Sequence, residues 1–324
     1  MARPADRRSL SAPPNRTTRI HAIMSDANTS PDPSAFVQAG TGSANPRFRR
    51  LKIFARNPSA AAGAAFLLVV AGLALAAPIL FPGDPLAIVA KPFIWPGQNA
   101  GFPLGTDALG HDVLAGLLHG ARISLAVGLA ATAGSLFLGI LVGAAAGYFG
   151  GGIDDAATRV VELFQTIPNF VLLVVIVAIV EPSITTVTVA MALIMWPTVA
   201  RLTRAEFRSI REKDFVMAAR SLGCGPGWII FREILPNALP PIVVTSSVMV
   251  ASAILMESGL SFMGLGDPNA VSWGSMIGAG RELIRTAWYL TAIPGLAIVL
   301  TVLALNLVGD GLNDALNPRL NSGR

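Results

Sequence analysis

The chain has 324 residues, of which 53% are hydrophobic and only 13% charged, where a soluble domain carries roughly 25% charge. Its net charge is +5 and its mean hydropathy +0.61, which excludes a water-soluble globule and reads as membrane residence. The single cysteine, Cys224, excludes an intrachain disulfide framework and a multi-cysteine metal site.

Residues 1–47 are rich in Arg, Ser, Pro, Asn and Thr and have no apolar period. They read as a disordered tail. No apolar core closely follows the early arginines, so a secretory signal is not expected. Met24 is an alternative start, because Met24-Ser25-Asp26 opens a plain polar tail.

Six apolar stretches follow, at about 60–80, 123–148, 160–180, 184–200, 239–263 and 288–308. A helix needs about 20 such residues to cross a hydrocarbon core of roughly 30 Å. Pro168 in the third and Pro294 in the sixth are expected to kink their helices rather than stop them. No segment alternates as a barrel strand would. The expected fold is all-α, a bundle of six transmembrane helices.

The basic residues set the orientation. Up to Asn57 there are 10, in 201–237 seven, in 147–159 one and in the C-terminal tail two, against Lys91, Arg122, Arg281 and Arg285 elsewhere. Both termini and the 201–237 loop are therefore expected in the cytoplasm, and the 81–121 and 264–287 loops outside it.

Few ionisable groups fall within the spans. Glu162 and Glu257 are the carboxylates of interest, each readable as a translocation group or as an anchor that orders a nearby loop. Gly139, Gly143 and Gly147 repeat a small-xxx-small spacing, which lets another backbone approach, either within this chain or from a second subunit. His111 and His119 read as loop or interface residues, and neither a metal site nor a cofactor site is expected. No Lys follows a Gly anywhere, so there is no GxxxxGK[ST] phosphate loop and no catalytic residue is assigned.

The 201–237 loop is too patterned for a passive connector. A basic amphipathic stretch, Arg201 to Phe207, precedes a short helix from Asp214 that carries Ala218 and Ala219 and ends at Gly223. A second short helix is expected from Pro226 through Arg232, stopped by Leu235-Pro236. Composition alone leaves two readings open: docking into a cleft on a partner, or lying on lipid headgroups.

The spacing Ala218-Ala219-xxx-Gly223, then twelve residues to Pro236 with Leu235 before it, resembles the EAA loop of ABC importer permeases, the inner-membrane components of binding-protein-dependent transport. Met217 stands in the usual Glu position and Glu233 in a usual Ile position. Pro103-Leu104-Gly105-Thr106-Asp107, Gly120-Ala121-Arg122-Ile123-Ser124, Leu260-Ser261-Phe262-Met263-Gly264 and Gly309-Asp310-Gly311-Leu312-Asn313 resemble, in order, segments of the C-type dipeptide/oligopeptide/nickel permeases.

The resemblance implies a type I ABC importer permease bundle with a cytoplasmic coupling helix. Its parts would be an N-terminal helix and outer loop at 48–121, a permease domain of five helices at 122–313 and a tail at 314–324. It also implies a second, B-type permease, two ABC ATPase subunits carrying ATP hydrolysis, an extracytoplasmic substrate-binding protein and a bacterial inner-membrane location. Nucleic acid is not among the implied partners. The implied cargo is di- or oligopeptides, with nickel complexes and glutathione-like compounds as family alternatives. A secondary transporter or channel without an ATPase is the competing class, and it has no need of a docking helix.

Overall fold

The computed structural model describes residues 54–316, which are helical between loops and hold no strand. Two isolated β-bridges, Asn99 with Phe102 and Thr106 with Asp112, lie in the loop between the first two helices. The expected tail 1–47, the Met24 start and most of the 314–324 tail lie outside the described residues.

Helix α1 (Pro58–Leu80) is opened by Asn57, whose side chain caps the Ala60 N–H, with Pro58 in the first turn. The same Asn57 donates to Asp314 at 3.1 Å, tying the start of α1 to the end of α9 (Tyr289–Leu316). Along that pair Gly63 sits against the backbone of Ala304.

Helix α2 (Val113–Phe149) starts ten residues before the expected span, because Asp112 accepts the Leu114 N–H at 2.9 Å and caps it there. Its 37 residues span about 55 Å at 1.5 Å each, more than a hydrocarbon core requires. The loop before it folds back on α9. The Tyr289 hydroxyl donates to the Thr106 carbonyl at 2.7 Å, and the Tyr289 ring packs against Trp95. Gly105, at φ +80, lets the backbone pass close to the Ile94 carbonyl there.

The third expected span is not one kinked helix. It is α3 (Gly151–Gln165) and α4 (Asn169–Ile179), bent by 79° at the break between them. Pro168 takes extended angles and starts α4 rather than bending a continuous rod. It also disfavours helical angles at Ile167. The pattern changes at the same place: α3 carries Asp154, Asp155, Arg159, Glu162 and Gln165, whereas α4 is entirely apolar after Asn169.

Helix α5 (Ile184–Arg211), capped by Ser183, continues eleven residues past the expected end, so the basic stretch after Ala200 is part of this rod and not of a separate segment. Helix α6 (Asp214–Ser221) is short. Helix α7 runs over Pro226–Phe262 without interruption at Leu235-Pro236. The expected stop fails because Ile229–Ile234 is a π-helical turn, in which the Leu235 N–H reaches the Ile230 carbonyl. The widened turn relieves the clash that a proline ring makes with the carbonyl four residues earlier. Helix α8 (Trp273–Gly280) is opened by a reciprocal Ser272–Ser275 capping box.

The core lies where α2, α4, α5 and α7 meet, around Val127, Leu173, Met191, Ile194 and Met249. Outside it the rods remain apolar: Leu75, Ile79, Phe137 and Ile179 are exposed. Water would penalise such a surface, and lipid accommodates it. Five helices are long and apolar enough to cross a membrane, and α3 with α4 makes a sixth, broken crossing.

Candidate coupling segment and the Glu257 polar network

Helix α6 is too short to be stable alone, and its packing explains why it forms. Val216 and Ala219 turn inward onto Phe207, Ile210, Ile229 and Ile234, closing a small apolar core beneath it. Gly223 ends it at φ +79, where the Cys224 N–H reaches the Ala219 carbonyl at 3.1 Å and the Gly223 N–H reaches the Arg220 carbonyl at 2.9 Å. A side chain bearing a Cβ would strain that left-handed conformation. Arg220 lies over the Tyr148 ring and Arg211 donates to the Tyr148 carbonyl at 3.0 Å, so the end of α2 is held by the same segment. Arg204 clasps Asp154 through both carboxylate oxygens, fixing the first turn of α3 to α5.

The small residues do not share one face. Ala218 and Gly223 are exposed, whereas Ala219 is only 7% exposed and belongs to the core under α6. Leu235 is half-buried and Pro236 exposed. The exposed surface is instead formed by large apolar side chains: Phe215 and Met217 from α6 and Leu222 just after it, with Trp228 and Phe231 from the start of α7. Leu222 is 84% exposed. These five residues were missed in reading the sequence. Their signal was present, because a short helix that buries Val216 and Ala219 and carries Phe215 and Met217 on its two flanks is apolar nearly all round and needs covering on more than its inner side.

At the opposite end of α7, Glu257 is 4% exposed. Ser261 donates to its Oε1 at 2.7 Å and Ser124 to its Oε2 at 3.2 Å, while the Trp273 N–H donates to Ser124 Oγ at 3.3 Å. The carboxylate therefore joins α2, α7 and the first residue of α8. Glu162 is exposed on α3 and lines a separate cavity, so the two carboxylates are not brought together.

Gly139, Gly143 and Gly147 form a ridge on α2 against α5. A Cβ on Gly143 would sit 2.7 Å from Thr203 Cβ, and one on Gly147 would sit 2.7 Å from the Arg204 carbonyl. The close approach is made within this chain.

This arrangement of apolar rods, a broken third crossing and a short helix braced across one end defines a membrane transport subunit. The chain belongs to the family described as the binding-protein-dependent transport system inner membrane component, whose model matches residues 135–322. It is 40% identical over 273 residues to the di/tripeptide transport system permease protein DppC of Pseudomonas aeruginosa, covering 82% of this chain and 90% of that one. It is 37% identical to the dipeptide transport system permease protein DppC of Haemophilus influenzae, with coverage of 82% and 92%. Its fold resembles a chain of the inward-facing MetNI methionine ABC transporter, with a TM-score of 0.53 at 19% identity, covering 62% of this chain and 96% of that one. The chain is thus a permease subunit of an ABC importer and a multi-pass protein of the inner membrane. This family does not favour the competing reading of a carrier without an ATPase.

Proposed function

We propose that the chain is one half of the pore of an ATP-driven importer of di- or oligopeptides. The other half is a B-type permease, ATP hydrolysis resides on two separate ATPase subunits, and an extracytoplasmic binding protein delivers the ligand. Both termini and α6 face the cytoplasm. The names of the relatives support the cargo, and the skew of basic residues supports the orientation.

The observation that carries the coupling role is the two-sided helix α6. Its inner face is locked to α5 and α7 by Val216 and Ala219, and the rest of its surface, with Phe215, Met217 and the adjoining Leu222, is uncovered. A helix rigid on one side and apolar on the other transmits displacement from a partner's groove into the rods that hold it. ATP-driven closure of the ATPases would then switch the bundle between inward and outward openings.

The test is uptake of a labelled dipeptide into proteoliposomes holding the complete transporter and the binding protein. Uptake requires ATP, stops with a non-hydrolysable analogue and is indifferent to collapse of ion gradients. Uptake driven by an ion gradient in the absence of ATP overturns the reading.

A further inference from the structure

A cavity of about 140 Å³ opens between α2, α3 and α5, away from α6 and from the Glu257 network. Its floor is apolar, formed by Val142, Ala146 and Val161. Its rim carries Arg201 from α5 and Glu162 from α3, beside Arg204, whose guanidinium is taken by Asp154. Arg201 and Glu162, of opposite charge, line one cleft, yet neither forms an ion pair among the described residues. Arg201 donates only to the neutral Gln165 Oε1, at 3.0 Å, which leaves most of its guanidinium N–H groups free.

The depth is informative as well. The apolar run of α5 ends at Ala200 and the basic run begins at Arg201, both in the cleft wall. The cleft therefore lies at the level where hydrocarbon gives way to headgroups.

We propose that this cleft binds a zwitterionic phospholipid headgroup of the ethanolamine type, from the leaflet on the α6 side. The phosphate is held by Arg201, the primary ammonium by Glu162, and the glycerol end lies on the apolar floor. A purely anionic headgroup would meet Glu162 with like charge. A choline headgroup has no N–H to donate to it. A free zwitterion such as a dipeptide shares the two charges but not the apolar part, and gains nothing from the membrane depth. The proposal rests on membrane residence and not on the cargo or the coupling role, so it stands or falls separately from them.

The experiment places the complete transporter in nanodiscs containing equal parts phosphatidylethanolamine, phosphatidylglycerol and phosphatidylcholine. Lipid retained after release into detergent is read by native mass spectrometry. Phosphatidylethanolamine is retained about fivefold over the other two, the size of one modest charge pair. Glu162→Gln removes the preference over phosphatidylcholine, and Arg201→Gln lowers retention of both. Arg285→Gln, outside the cleft, keeps the wild-type pattern. If either charge variant fails to assemble, Ala157→Leu, which fills the cleft, lowers retention instead. Retention in proportion to the bulk mixture, or an unchanged preference in Glu162→Gln, overturns the proposal. So does displacement of the bound species by soluble glycylglycine without any lipid preference, which would give the cleft to a soluble zwitterion.

Discussion

Ser124 and Glu257, 133 positions apart, meet between α2 and α7, the serine hydroxyl donating to the carboxylate at 3.2 Å. The same hydroxyl oxygen accepts the N–H of Trp273, the first residue of α8. One buried carboxylate thus fixes where the loop before α8 re-enters the bundle, with hydroxyls rather than a cation as its partners.

Two substitutions separate this positioning role from proton movement. Glu257→Gln retains an acceptor for one serine and lowers stability by about 1 kcal/mol, whereas Glu257→Leu strands both Ser124 and Ser261 and costs roughly 2–3 kcal/mol. Thermal unfolding of the purified transporter, followed by tryptophan fluorescence, gives the order. The dependence of uptake on external pH is unchanged in Glu257→Gln. A shifted pH profile would instead make Glu257 a proton-carrying group.

The glycine ridge yields a contrast within one chain. Gly143→Val drives two methyl groups into Thr203 and the Ala200 backbone, and overpacking of this kind costs about 1–3 kcal/mol or more. Folded yield falls sharply. Gly72→Ala in α1 meets nothing within 4 Å and gains up to about 1 kcal/mol from helix propensity. Equal yields from the two variants would show that the α2–α5 contact is loose.

Much of this fold was legible because lipid imposes a simple rule: long apolar runs become rods, and five of the six spans appear where hydropathy set them. Their ends were not legible. The apolar run of α5 stops at Ala200, but the helix continues to Arg211 because Thr203, Phe207 and Ile210 still pack inward. Hydropathy records which residues tolerate lipid, while helix continuity is set by packing and hydrogen bonds. The prolines show the same gap. Pro168 separates two helices, yet Pro236, Pro240 and Pro241 lie within one, the first of them preceded by a π turn that makes room for its ring. In the candidate site, Ala218 and Ala219 are neighbours in a motif but sit about 100° apart on a helix, so one is exposed and the other buried.

Orientation is open to direct labelling. On a Cys224→Ser background, a cysteine at the exposed Asn99 reacts with an impermeant maleimide from outside the cell, and one at Leu222 reacts only after the cytoplasmic side is opened. The opposite pattern inverts the topology and with it the coupling role of α6.

The two faces of α6 provide the sharpest test of that role. Leu222→Glu alters only the outer face, where the side chain is 84% exposed and makes no core contact. A charge there costs the isolated permease little, since exposed substitutions change stability by about 0.5 kcal/mol or less. If α6 enters an apolar groove of an ATPase, the same charge must be desolvated without a partner, at a cost of several kcal/mol. Leu222→Glu therefore leaves the permease folded and inserted, while the ATPase subunits no longer co-purify and uptake is lost. Gly223→Trp adds strain at a positive φ along with bulk in open space, and gives the same loss with somewhat lower folded yield. Ala219→Glu behaves differently. That side chain lies in the core formed by Val216, Ile229 and Ile234, so a carboxylate there damages the permease itself, and yield falls before any partner is involved. A helix resting on lipid headgroups makes the opposite forecast for the outer face, because an exposed glutamate in headgroups leaves assembly intact. Full recovery of the ATPases with Leu222→Glu, alongside normal uptake, would remove α6 from the coupling path.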